Sequence, residues 1–474
     1  MSLIDTFRTG RKGTHPVDDV PPLAQLVPLG LQHVLAMYAG AVAVPLIVGG
    51  AMVGAGQLER GDIVHLIMAD LLVAGIATIL QAVGVGPFGV RLPLMQGVTF
   101  AAVGPMISIG TAHGITAIYG SVIASGVFMI LAAPFFGRLI RFFPPLVTGT
   151  IILIIGVSLM RVAAGWFGGG TALGPDFGAP RAIAMAFGTL LIVVLLERFA
   201  PPAIRRISVL CALFIGTLVA IPLGMTDWSG VGEADWVGVV TPFQFGAPTF
   251  EISAVIAMII VAIVVMTETT GDMIAVGEIV DRPVTPRGLA DGLRADGAGT
   301  LLGGIMNTFP YTAFAQNVGL VAMTGVRSRH VATCAGVILV GLGLVPKLAA
   351  VVEGVPQPVL GGAGIALFGM VAATGIRTLS KARLDNGNIL VVAISLGVAM
   401  LTEAKISYSA DGTNVVLDLY ARFPDWFQTI FHSGISAGAI TAIALNLLLN
   451  GRREPREQAQ DEPQDQPQDQ PQDQ

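Results

Sequence analysis

The sequence predicts an all-α polytopic membrane protein of about 14 transmembrane segments, arranged as two inverted repeats of seven spans. Composition is the first observation. Of 474 residues 53% are apolar and only 12% charged, against roughly 25% charged in soluble domains. That is too little charge to cover the two or three soluble domains such a length would make, and the mean hydropathy of +0.76 places most of the chain in lipid. The second observation is the recurrence of apolar windows of about 20 residues. The third is the way lysine and arginine sort to one side of those windows.

Taken in order, the windows fall near 26–53, 63–83, 92–111, 115–136, 144–164, 181–199 and 207–225 in the first half. In the second half they fall near 250–271, 292–306, 308–325, 330–350, 356–376, 387–404 and 433–450. With a cytoplasmic N-terminus, twenty of the 26 basic residues lie inside; only Arg60, Arg161, Arg181, Lys347, Lys405 and Arg422 lie outside. An odd number of spans would scramble that bias. The 60 glycines and 29 prolines suit broken, closely packed spans, because small residues let helices approach and breaks are tolerated where they line a protected cavity.

Residues 1–25 carry Arg8, Arg11 and Lys12 but no short apolar core with a small-residue cleavage site, so the first hydrophobic segment is expected to be retained. At the other end, residues 452–474 set three arginines against seven carboxylates in Gln-Pro-Gln-Asp units, the pattern of a solvated acidic tail. Most of the net charge of −5 sits there, so the charge says little about the substrate. Cys211 and Cys334 stand in apolar stretches without CxxC spacing and read as small core residues. Gly84-Val-Gly-Pro-Phe-Gly89 matches GxGxxG, but it falls in a short loop between spans with no strand-turn-helix unit, so a dinucleotide site is not expected.

Two segments depart from ordinary spans. Residues 91–111 and 307–325 each open with a short extended run containing a proline, reach a glutamine, and continue with small residues able to form a half-helix. They are the third spans of the two sevens, and corresponding interrupted spans point to the midplane site of a transporter. Two Gly/Pro-kinked packing helices are the simpler alternative.

Ionisable residues deep in a span are costly and therefore functional candidates. They are His33, Asp70, Glu268, Asp272 and Asp296. Glu268 and Asp272 are four apart, on one face of the eighth span. Two carboxylates that close do not both ionise cheaply, and a ligand that alters which holds a proton gives a physical basis for proton coupling. The alternative is a structural pair bonded to Thr269 and Thr270. His33, beside Gln32, reads as either a satisfied core histidine or part of the site. Asp70 reads as a helix–helix hydrogen bond, and Asp296 as coupling, gating or plain structure.

Gln316 and Asn317 offer amides at the point where an extended segment meets a half-helix, whose free N–H groups face the cavity. Gln96, Thr99 and Phe100 occupy the like position in the other half. Amides, a carboxylate and N–H groups, with Phe100 and Phe314 to stack, suit a planar heterocycle with alternating N–H and C=O groups. They suit a metal poorly. No Walker lysine, HExxH or Cys/His cluster is present, so ATP-driven transport and metal chemistry have no support.

The run Gln316-Asn-Val-Gly-Leu-Val-Ala-Met-Thr324-Gly325 resembles the signature of the nucleobase–ascorbate transporters (nucleobase-cation symporter 2), Q/S/P-N-x-G-x-x-x-x-T-R/K/G, at every defined position. The resemblance extends to Gln32-His33, to Gln96-Gly-Val-Thr-Phe100 and to Thr267-Glu-Thr-Thr-Gly-Asp272, over roughly residues 25–450. It implies a uracil-permease-like fold with a core domain at 26–136 and 250–350 and a gate domain at 137–249 and 351–451. It also implies elevator-like movement of one against the other, and a homodimer. On this resemblance Glu268 and Gln316 would hydrogen-bond the base, with Phe100, Ala315, Phe314 and Thr99 contributing ring or backbone contacts. Asp272, His33, Asp296, Asn317 and Gln32 would support the site or the proton. Glutamine at 316 and aspartate at 272 resemble the xanthine/urate branch rather than the uracil branch.

The expectation is therefore a proton-coupled importer of xanthine or urate in a bacterial cytoplasmic membrane, with both termini cytoplasmic. Its partners would be the purine, the proton, membrane lipid and a second copy. No enzymatic activity, cofactor, metal or nucleic-acid partner is expected. The other readings are a uracil or other nucleobase permease and, on the same fold, an anion exchanger.

Overall fold

The computed structural model describes residues 15–139, 142–170, 177–403, 406–410, 413–417, 419–420 and 422–451. The basic residues before position 15 and the acidic tail from Arg452 lie outside the described residues.

The first apolar run folds as α1 (Leu23–Gly54), which continues through Pro28 and Pro45. The second folds as α2 (Arg60–Val83), opened by a reciprocal cap between Glu59 and Asp62. The third window breaks up into β1 (Gln96–Val98), a 3-10 turn at Phe100–Ala102 and the half-helix α3 (Val103–His113). There follow α4 (Ile115–Ala132), α5 (Phe136–Leu139), α6 (Pro145–Phe167), α7 (Pro180–Phe199), α8 (Pro202–Arg205), α9 (Ser208–Ala220) and α10 (Ser229–Glu233). The second half begins with α11 (Ile252–Ile279) and α12 (Pro286–Ile305), then β2 (Tyr311–Ala313) and the half-helix α13 (Ala315–Thr324). It continues with α14 (Arg329–Gly343), α15 (Pro346–Glu353), α16 (Gln357–Leu379), α17 (Asn386–Glu403), the hairpin β3 (Ile406–Ala410) and β4 (Thr413–Leu417), α18 (Asp425–Phe431) and α19 (Gly434–Asn450). Many of the prolines start helices: α6, α7, α8, α12 and α15 each begin on one, where the missing N–H has no intrahelical partner to lose.

Among the described residues seven helices are long and apolar enough to cross a membrane. The count rises to nine if the bent pairs α14/α15, at 82°, and α18/α19, at 83°, are each one span. The remaining windows hold shorter pieces, among them α9 and the two half-helices.

Helix neighbours sort into two sets. In one, α2 packs on α1, α12 and α14, and α4 on α11 and α12; in the other, α16 packs on α6, α7 and α9, and α19 on α6 and α17. At the end of the first set, Asp18 accepts from Arg282 at 3.0 Å and from Arg329 at 2.7 Å, which straps the segment before α1 across α11 and α14.

Both sets rely on glycine to bring backbones together. A Cβ at Gly75 would lie 2.5 Å from the Gly336 carbonyl of α14, and one at Gly156 would lie 2.3 Å from the Ala372 nitrogen of α16. Backbone on the far side cannot rotate away. Gly156→Val is therefore expected to destabilise the protein by at least about 3 kcal/mol, read as a lower unfolding temperature in detergent. Gly188→Ala, with nothing within 4 Å of its Cβ, should instead be neutral or gain up to about 1 kcal/mol of helix propensity. Equal stability of the two variants would refute this packing.

Candidate functional site

The site is organised by a two-stranded sheet inside the helical body. β1 and β2 pair antiparallel, Gln96 with Ala313, Gly97 with Thr312 and Val98 with Tyr311. The ladder extends through Thr99 N–H to the Pro310 carbonyl at 2.9 Å and through Phe314 N–H to the Met95 carbonyl at 3.0 Å. A pair this short leaves two open edges, and backbone groups in an apolar interior need partners. Threonines on the flanking helices supply them. Thr78 of α2 accepts from Gln96 N–H at 2.9 Å, Thr300 of α12 from Tyr311 N–H at 3.1 Å, and Thr269 of α11 from Ala313 N–H at 3.2 Å. Thr269 therefore serves the sheet and Thr270 bonds the Met266 carbonyl of its own helix, so neither hydroxyl holds the Glu268/Asp272 pair.

Each strand leads into a helix N-terminus. Thr99 caps its turn, accepting from Ala101 N–H at 3.1 Å. Phe314 precedes α13 without a side-chain cap, and the N–H groups of Ala315 and Gln316 have no partner among the described residues. The Phe314 ring lies over two glycines, its edge carbons 2.4 Å from where a Cβ of Gly97 would stand and 2.9 Å from that of Gly40. Phe100 is half-buried and meets Phe368 of α16 edge-on, with ring centroids 5.7 Å apart. Gln316 is exposed, and it lines a cavity of about 330 Å³ with Phe314, Gly40 and Met37 on one side and α9, Leu367 and Met370 on the other.

Glu268, Asp272 and Asp296 lie within electrostatic reach of one another, Glu268 and Asp272 one turn apart on α11 and Asp296 on α12. None forms an ion pair among the described residues; Arg377, near the end of α16, acts on Asp272 from a distance. Asp296 is fully buried, and one of its oxygens accepts from Gln81 Nε2 at 2.9 Å. Its other oxygen, the buried oxygen Oδ2 of Asp272 and both amide atoms of Gln96 have no partner within hydrogen-bond geometry among the described residues, although Thr269 and Gln96 stand close enough to act on the Asp296 carboxyl. Glu268 is half-buried and makes no hydrogen bond among the described residues.

His33 is buried on α1 and linked to α13. Asn317 Nδ2 donates to the His33 carbonyl at 2.9 Å and lies 3.1 Å from His33 Nδ1. A carbonyl only accepts, so the amide nitrogen faces it; Nδ1 is then the acceptor and the neutral ring carries its proton on Nε2. Gln32 is half-buried and makes no hydrogen bond among the described residues. Asp70, read from sequence as a helix–helix contact, instead accepts from the Tyr311 hydroxyl of β2 at 2.9 Å. Both cysteines are unpaired and half-buried. No group of His, Cys, Asp and Glu suited to a metal occurs among the described residues.

Sequence reasoning missed the threonines that satisfy the sheet, Gln81 on Asp296, and the cavity wall of Glu197, Arg205 and Arg206. The first two are polar residues within apolar windows, which was the available signal. The wall comes from a helix end distant in sequence, which spacing alone does not reveal.

A broken-helix site sunk in a bundle of membrane-spanning helices defines a membrane transporter. The fold resembles the transmembrane domain of a cyanobacterial bicarbonate transporter, BicA, with TM-score 0.59 and 17% identity over 82% of this chain and 98% of that one. It also resembles murine Solute Carrier 26 family member A9 in the inward-facing state, with TM-score 0.55 and 13% identity over 94% and 74%. The particular family follows from sequence. Residues 24–407 match the model Xan_ur_permease, described as a permease family, and the chain belongs to that nucleobase–ascorbate transporter family. It is 45% identical to the xanthine permease of Bacillus subtilis over 89% of this chain and 93% of that protein. To the uric acid permease PucK of the same organism it is 46% identical over 89% and 95%. To the uric acid transporter UacT of Escherichia coli it is 42% identical over 95% and 92%. The chain is a transporter and not an enzyme.

Proposed function

We propose that this permease imports an oxidised purine, xanthine or urate, by proton symport. The observation that carries the reading is Gln316 and the free N–H groups opening α13 at one cavity; the carboxylates of α11 and α12, within electrostatic reach of one another and without an ion pair among the described residues, support the proton. Glu268 accepts from ring N–H groups of the base, and Gln316 both donates and accepts at an adjacent edge. Phe314 and Phe100 contact the ring face, with Ala315 and Thr99 offering backbone groups. Asp272 and Asp296 hold or relay the proton, His33 and Asn317 keep α1 and α13 in register, and Gln32 supports the site beside them. The relatives named for xanthine and uric acid support the substrate class.

The rest of the reading is a core domain at 26–136 and 250–350 moving elevator-like against a gate domain at 137–249 and 351–451, in a homodimer. The two packing sets support that division. Thr78 and Thr300 serve the first residues of β1 and β2 alike, which supports two inverted seven-span halves. The sorting of basic residues supports cytoplasmic termini in a bacterial cytoplasmic membrane.

The test is uptake of labelled xanthine and urate into proteoliposomes. With the outside one pH unit more acidic, the purine is expected to accumulate inside to about tenfold its outside concentration, the equilibrium effect of one coupled proton, and a protonophore should remove the accumulation. No uptake of either purine, or uptake indifferent to the protonophore, would sink the proposal.

A further inference from the structure

Gln81 is buried on α2 and reaches α12, and two backbone groups orient its amide. Val90 N–H donates to its Oε1 at 3.0 Å, and its Nε2 donates to the Gly292 carbonyl at 3.2 Å. A backbone N–H only donates and a carbonyl only accepts, so the amide has one orientation. The other hydrogen of Nε2 is left for Asp296 Oδ1, 2.9 Å away, and Oδ1 accepts it whether or not the carboxyl is ionised. A proton on Oδ1 would meet a donor. Asp296 therefore takes a proton on Oδ2.

Oδ2 is sealed from solvent and has no partner within hydrogen-bond geometry among the described residues. The uncharged groups close enough to act on the carboxyl are Thr269 of α11 and Gln96 of β1. Thr269 is committed to the sheet, where it accepts from Ala313 N–H at 3.2 Å and lies 3.0 Å from Thr312 Oγ1. Gln96 is not: it is buried, and both of its amide atoms lack a partner among the described residues. Of the ionisable groups on the elements around Asp296, Glu268 and Asp272 lie on α11, and Asp70 of α2 is bonded to Tyr311 of β2. Arg294 is paired within α12, and α4 carries Tyr119. None of these bonds either oxygen of Asp296 among the described residues.

A buried amide without partners is costly, and a neighbour that is donor in one state and acceptor in the other satisfies each of its atoms in turn. We propose that Gln81 is a positioning residue for the coupling proton, confining it to Asp296 Oδ2, and that the Gln96 amide reads whether the proton is there. This rests on the reading of Asp296 as a residue that holds or relays the proton. When Oδ2 gains the proton, the new O–H donates to Gln96 Oε1; when the proton leaves, Gln96 Nε2 donates to the ionised oxygen. The amide turns over between the two states, and on protonation its atom away from Asp296 changes from acceptor to donor. Gln96 opens β1, is paired with Ala313, and is followed by Gly97, on which the Phe314 ring rests. The proton thus acts on the strand pair that carries the base site.

The experiment compares two modes of transport of labelled xanthine and urate in proteoliposomes: counterflow against unlabelled purine at equal pH, and accumulation with the outside one pH unit more acidic. Gln81→Glu keeps the shape and the acceptor for Val90 N–H, but it sets a second carboxyl against Oδ1, where a proton is then shared. Accumulation should fall about fivefold, the low end of coupling between two sites, while counterflow stays close to wild type. Gln81→Glu/Asp296→Asn exchanges amide and carboxyl across the same hydrogen bond. Thermal stability should return toward wild type, yet accumulation should stay lost, because the proton then sits on α2 and away from Gln96. Wild-type accumulation in either variant overturns the inference. So does a parallel loss of counterflow and accumulation in Gln81→Glu, the mark of a purely structural residue. If Gln81→Glu does not fold, the exchanged pair decides alone, and its failure to fold also counts against the inference, since the bond it reinstates is the one required. A wild type without counterflow fails the transport reading, and one with counterflow but no accumulation fails the proton reading; the inference falls with either.

Discussion

Glu268→Gln is expected to abolish concentrative uptake, lowering kcat/KM by about a thousandfold, while leaving the protein as stable as the wild type or more so. The first half follows from the contacts proposed for the carboxylate. Two bonds from ring N–H groups to an ionised acceptor contribute about 4 kcal/mol together, and each 1.36 kcal/mol is about a factor of ten. An amide keeps the shape, replaces one acceptor by a donor, and removes the charge that acts on the proton-holding Asp272 and Asp296. The second half follows from what surrounds the residue. Glu268 forms no hydrogen bond or ion pair among the described residues, and its neighbours Asp272 and Asp296 are acidic too. Neutralising it removes like-charge contact and leaves no partner stranded. A structural carboxylate would behave in the opposite way, losing stability first and transport as a consequence. Uptake at the wild-type rate would overturn the assignment, and parallel losses of stability and uptake would return Glu268 to a structural role.

The spans were legible because burial in lipid imposes one requirement, a long apolar stretch, that composition states directly. Hence α2, α6, α7 and α16 begin and end within a few residues of their windows. Departures have local causes. α11 runs on to Ile279, past the window at 250–271, because carboxylates that end a hydropathy window do not end a helix. The window at 330–350 bends by 82° at the Val345-Pro346 step, where proline removes a donor and disfavours helix at the residue before it. The window at 207–225 yields only thirteen helical residues, Ser208–Ala220, ending ahead of Pro222. The interrupted spans were legible as interruptions from their prolines and small residues. Their pairing into one sheet was not, because Gln96 and Ala313 are partners across 217 positions and no periodicity links them. The candidate site residues were likewise legible as polar groups out of place. What each touches depends on tertiary neighbours: the Asp70 carboxylate found Tyr311, and Asp296 found Gln81.

Gly97→Ala should lower uptake about a hundredfold. The added carbon would stand 2.4 Å from Phe314 Cε2, 2.8 Å from its Cδ2 and 3.0 Å from Met37 Cε. The ring cannot retreat toward α1, because it already fills the face of Gly40. Two responses remain. Either the ring swings into the cavity it shares with Gln316, occupying the place proposed for the base, or β1 and β2 move apart and strain the bonds at Thr99 and Phe314 that hold the α13 opening in place. Strain of this kind costs about 1–3 kcal/mol, and misplacing binding groups by about 1 Å is enough to cost about a hundredfold. The double variant Gly97→Ala/Phe314→Leu separates the responses. Shrinking the ring relieves the clash, so thermal stability should return toward wild type. Transport should remain low, because the ring face proposed to contact the purine is gone. Gly341→Ala, on α14 with nothing within 4 Å of the new carbon, is the matched control and should transport normally. Full transport by Gly97→Ala would mean that the Phe314 ring is free to move without consequence, and Phe314 would then be removed from the site.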